Sequence, residues 1–145
     1  MKNTFTLLLL SFVCCFNSVS NADEPIEFVV GEAQFFNADY IKIDSVTSTG
    51  DGFAIGDTVT VSGVYTLNSV KSAKLCFYST TEGKLGEAPK PSPAQPGHVT
   101  IQIKAENGEH PFTLSRVIME PGKPHLTFYN PGTGAGFGGV YFGDA

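Results

Sequence analysis

The residues able to do chemistry are His98, His110, His125, Cys76 and a scatter of aspartates, and their spacing decides which chemistry is open. A zinc site presents two ligands from one element a few residues apart, and no two of these histidines are so placed. Cys76 with a histidine would make a nucleophile and its base. It sits mid-strand, however, with no loop or helix N-terminus to lower its pKa. No GxSxG elbow occurs. Asp44, Asp51 and Asp57 surround an oxygen-rich stretch that suggests calcium, but the spacing is not that of an EF-hand. Asp51-Gly52 and Gly56-Asp57 read as turn dipeptides. Gly134, Gly136 and Gly139 satisfy GxGxxG, yet the residues after them read as a strand where a dinucleotide loop needs a helix. No catalytic residue, metal or cofactor is therefore expected.

Aromatic residues supply the stronger pattern. If Leu126, Phe128, Val140 and Phe142 face inward, their neighbours face outward. In-phase pairing then sets Tyr129 opposite Phe137, Thr127 opposite Gly139 and His125 opposite Tyr141, with Tyr78 joining from a third strand. Tyr78, His125, Thr127, Tyr129, Phe137 and Tyr141 form the candidate binding surface. Rings with polar tips beside small residues suit stacking on sugars or anchoring a protein. The plainer reading is that residues 26–36, with Phe28, Val30, Phe35 and Phe36, lie across this face as cover.

The elements that must position these side chains are strands. No stretch beyond the N-terminal segment carries a helical apolar period; short alternating runs are separated by Gly, Pro, Asn and Asp. Seven runs stand out, at 40–47, 57–67, 73–80, 98–105, 110–118, 124–130 and 136–142. Asn107-Gly108 predicts a two-residue hairpin turn. Its register places Ile103 opposite Phe112, Ile101 opposite Leu114 and Val99 opposite Arg116, and faces Glu106 with Glu109, a like-charge pair expected to splay. Residues 83–97 hold Pro89, Pro91, Pro93 and Pro96 and read as a loop. Alternation puts Cys76 on the face opposite Leu75 and Phe77, where it should be partly accessible unless the N-terminal segment covers that face, and either free or able to link two chains in a dimer.

Residues 56–67 (GDTVTVSGVYTL) with Ala73, Lys74 and Leu75 resemble the second and third strands of secreted bacterial immunoglobulin-like or fibronectin-III-like modules. The resemblance covers about twenty residues. It implies an all-β, antiparallel Greek-key β-sandwich, immunoglobulin-like, of seven to nine strands. The Asn107-Gly108 turn would then join strands D and E, and 73–80, 124–130 and 136–142 would form the C, F and G sheet. The inter-sheet cysteine pair and strand-C tryptophan of antibody domains are missing, and jelly-roll topologies stay open.

Residues 1–22 read as a signal peptide: Lys2, an apolar run from Leu7 to Phe16, and a small-x-small site at Ser20-Asn21-Ala22. Cleavage after Ala22 would leave residues 23–145 as a single domain, secreted or periplasmic, with no segment long enough to span a membrane as a helix. The chain is 41% hydrophobic and 16% charged, a balance that excludes wholesale disorder. Net charge is −5, more negative by one once Lys2 is lost, and no basic cluster exists beyond Lys71 and Lys74, so nucleic acid is excluded as a partner. The function expected is a non-catalytic binding or adhesion module for an extracellular glycan or protein. The alternatives are a structural envelope or matrix component, or a small secreted enzyme using Cys76 or a histidine.

Overall fold

The computed structural model describes residues 23–80, 99–119 and 121–144. The proposed leader, the proline-rich 83–97 loop and His98 lie outside them. The described residues form nine strands and no helix: β1 (Glu24–Pro25), β2 (Val29–Gln34), β3 (Tyr40–Ser48), β4 (Thr58–Thr66), β5 (Ser72–Thr80), β6 (Val99–Lys104), β7 (His110–Val117), β8 (Lys123–Tyr129) and β9 (Gly136–Gly143). They make two antiparallel sheets, ordered β1-β3-β4-β7 and β2-β9-β8-β5-β6. The seven alternating runs are β3 to β9, displaced by no more than a residue or so at their ends.

One apolar core lies between the sheets. Ile41, Val59, Val61, Phe112 and Leu114 come from the four-stranded sheet, and Leu75, Phe77, Leu126, Phe128, Val140 and Phe142 from the five-stranded one. Each belongs to the inward phase of its strand, so the two-residue period alone fixes membership. A bulge in β3 between Ile43 and Ser45 shifts that phase by one, which brings Val46 and Ser48 inward after Ile41 and Ile43. Gly63 makes the bulge possible: a Cβ there would lie 2.0 Å from the Lys42 carbonyl oxygen.

The expected hairpin at Asn107-Gly108 is not formed. β6 pairs with β5, setting Ile101 opposite Leu75 and Ile103 opposite Ala73, while β7 pairs with β4, setting Leu114 opposite Val61 and Arg116 opposite Val59. The turn carries the chain from one sheet to the other. A type I′ turn needs positive φ at both central residues; here only Gly108 has it, at 93°. The inward phase survives the correction for Ile103, Phe112 and Leu114, which are buried, whereas Ile101 is only partly buried. Glu106 and Glu109 do splay, Glu109 accepting from the Tyr40 hydroxyl and Glu106 lying 3.8 Å from His110. Of the strands assigned by resemblance, 73–80, 124–130 and 136–142 do share a sheet, but the strand before the turn joins that sheet as well.

Residues 26–36 do not cover the aromatic face. β2 extends the five-stranded sheet at its edge by pairing with β9, and Val30 is 56% exposed. Phe28 and Phe35 turn instead toward the core. An extended segment with unsatisfied backbone groups gains more from a free sheet edge than from lying on side chains.

Candidate functional site

β5, β8 and β9 are neighbours, so their outward side chains fall into cross-strand rows. The first row is Tyr78, His125 and Tyr141, the second Cys76, Thr127 and Gly139, the third Lys74, Tyr129 and Gly136. In the first row the Tyr78 and His125 rings stack at 5.7 Å between centroids, and His125 meets Tyr141 at 5.0 Å. Tyr78 also meets Tyr129 edge-on at 5.6 Å. These are distances at which rings add favourable contact to their area burial. Five of the six expected surface residues are thus brought together on one face.

The sixth is not. A register shift after Phe128 pairs Tyr129 with Gly136, which rotates Phe137 inward to stack on Phe128 at 5.8 Å. The glycine-rich start of β9 allows this. Gly134 closes the β8–β9 turn with φ 71°, and the residues after it, Gly136–Gly143, are the strand β9.

The rings shelter the polar groups between them. His125 is 5% exposed, and burial pulls its imidazole down to about 4, against a weak opposing bond from the Lys123 carbonyl; the Arg116 charge lowers it further. Burial raises the Tyr78 phenol to about 12 and the Tyr129 phenol above its ordinary range. Cys76 is a free thiol, 2% exposed, correcting the expectation of partial access. Its Sγ lies 3.1 Å from Thr100 Oγ1. Burial pushes the thiol up, with hydrogen bonds from Thr100 and Tyr78 opposing; a nucleophile needs the reverse shift. A disulfide to another chain would first have to displace these neighbours.

The remaining candidates are dispersed. His110 packs on Tyr65 at 5.5 Å, on the opposite sheet from His125. Asp44 pairs with Lys42 at 2.8 Å, and Asp57 accepts from the Ala54 amide at 3.1 Å, so each has a local task. Among the described residues no group of three or more His, Cys, Asp or Glu is placed to hold a metal ion.

Two residues outside the expected binding surface matter to the framework. Arg116 is 3% exposed, with its guanidinium 5.5 Å over the Phe77 ring and Nη1 directed at the Phe77 carbonyl at 3.5 Å. Its signal was its phase, shared with Phe112 and Leu114. Asp39 is buried and accepts from the amides of Asn68 and Ser69 at 2.6 and 2.9 Å and from the Ser69 hydroxyl, tying the β2–β3 turn to the β4–β5 connection. Nothing in the spacing of residues 39 and 68 announces that contact.

The two outer faces differ in kind. That of the four-stranded sheet carries hydroxyl pairs, Thr60 with Ser115 at 2.7 Å and Ser62 with Thr113 at 2.9 Å, while the five-stranded sheet carries the ring cluster. No protein-family model, no curated protein and no solved structure matches the chain.

Proposed function

We propose that this chain is a secreted or periplasmic, non-catalytic binding module that recognises an extracellular glycan through the outer face of its five-stranded sheet. The observation that carries the reading is the row Tyr78–His125–Tyr141 with Tyr129 beside it, next to Gly136 and Gly139 on the same face. Partly exposed tyrosine rings offer an apolar plane with a hydroxyl at its edge, and the exposed Gly136 leaves the plane beside Tyr129 unobstructed. His125 adds no charge to this face near neutral pH, and Lys74 beside Tyr129 is the one cationic side chain in these rows. A protein partner is the competing occupant.

The framework we propose is a Greek key of immunoglobulin-like type. In support, the chain lays down β3 and β4 in one sheet, crosses for β5 and β6, returns for β7 and closes with β8 and β9. The leader pattern of residues 1–22 supports export.

Glycan-array binding of the wild type against a Tyr129→Ala, Tyr141→Ala double variant tests the reading. The expected result is binding by the wild type and loss of about tenfold or more in the folded double variant. Equal binding by a folded double variant excludes this face, and binding only to an immobilised protein replaces the glycan with a protein ligand.

A further inference from the structure

Topology gathers four connections at one end of the molecule: 35–39, 67–71, 105–109 and 130–135. Between them lies an apolar groove of about 250 Å³, lined by Phe36, Val70, Ala135 and Phe137 with Ser69, Asn130 and Thr133. It is smaller than the several hundred Å³ of a typical drug-sized site, with room for one ring or a short chain.

The two rings are held in place rather than merely left over. Phe137 stacks on the core residue Phe128. Phe36 stands 52% exposed on a turn in which Asn37 and Ala38 both have positive φ, 52° and 59°, and the Asp39 amide donates back to the Phe36 carbonyl at 2.9 Å. Positive φ is costly for alanine, and Asp39, bonded to residues 68 and 69, holds the turn in that shape.

The polar groups of the groove select a ligand type. Asn130 Oδ1 accepts from the amides of Gly132 and Thr133 at 2.9 and 3.1 Å. Both partners are N–H donors, so the amide orientation is fixed and Nδ2 is left to donate. Thr133 Oγ1 accepts from the Ala135 amide at 3.3 Å, which leaves its hydroxyl proton to donate as well. Ser69 already donates to Asp39. Charge points the same way. Lys71 follows Val70 in the chain, Lys74 lies opposite Tyr129, and Lys104 lies opposite Ser72, so three lysines flank this end of the sheet. None of them pairs with a carboxylate among the described residues. Three acids in these connections, Asp39, Glu106 and Glu109, are turned to Ser69, His110 and Tyr40.

We infer that this groove binds a small carboxylate with an apolar body, the body between Phe36 and Phe137 and the carboxylate toward Asn130 Nδ2, the Thr133 hydroxyl and Lys71. This is a second site, independent of the tyrosine face and of its glycan.

Amide chemical shifts of the isotopically labelled protein, titrated with phenylacetate, phenylethanol and phenylethylammonium, test it. Phenylacetate is expected to shift residues 36, 70 and 130–137 saturably, with phenylethanol weaker by about threefold or more and the ammonium without effect. Phe36→Ala removes a half-exposed ring and leaves the spectrum folded, and should weaken phenylacetate by about tenfold. Lys71→Gln should weaken phenylacetate but not phenylethanol. The inference is overturned by absence of saturable shifts in the groove, by equal binding of acid and ammonium, or by unchanged phenylacetate affinity in either variant. None of these outcomes bears on the Tyr129 and Tyr141 experiment.

Discussion

His125 couples the ring cluster to pH. Its imidazole titrates at about 4 in the folded chain against an ordinary 6.5, so between these values the unfolded chain binds a proton that the folded one does not. Stability from this group is complete above pH 6.5 and declines as pH falls toward 4, by about 3 kcal/mol at roughly 1.4 kcal/mol per pH unit. Urea midpoints at pH 7 and 4.5 should therefore fall further in the wild type than in His125→Gln, in which only the titrating groups common to both proteins contribute; equal drops would mean the ring is solvated. Cys76 makes a second prediction. Its buried thiol should resist iodoacetamide in the native state and react after unfolding, as mapped by mass on the peptide that contains it. Rapid native labelling would show that the rings above it open readily. Tyr78 and Tyr129 should ionise last among the tyrosines in an ultraviolet titration, because burial opposes their phenolates.

At the scale of elements, phase decides more than pairing does. Gly63→Ala should cost several kcal/mol, on the order of the largest single-site effects, because the new methyl meets backbone at the β3 bulge and has no flexible side chain to push aside. Chemical denaturation checks it, and a loss under about 1 kcal/mol would mean the bulge can relax. Leu114→Ala should cost about 2 to 5 kcal/mol as a buried core truncation, and Ile101→Ala distinctly less, since Ile101 is only partly buried on the edge strand β6. A hairpin across Asn107-Gly108 would have made these two residues equivalent partners. The alternation of β6 and β7 was legible in sequence; their partners were not, because an inward face looks the same whether the next strand lies beside it or across the core.

For the molecule as a whole, composition and period settled the class: short alternating runs without a helical period yield strands, and their inward residues form a core between two sheets. That Tyr78, His125, Thr127, Tyr129 and Tyr141 each point away from the core was also legible locally, since neighbours of inward residues along a strand take the other face. Tertiary structure alone decided the rest. Which strands adjoin depends on loop paths and on edges left free, so β2 came to pair with β9 rather than cover the rings, and the Asn107-Gly108 turn came to cross between sheets. A one-residue register shift, set by the glycine-rich turn, moved Phe137 from the tyrosine face to the end groove. Asp39 reaches residues 68 and 69 only because two connections from opposite sheets meet at one end, and no local pattern records a contact between groups that folding alone brings together.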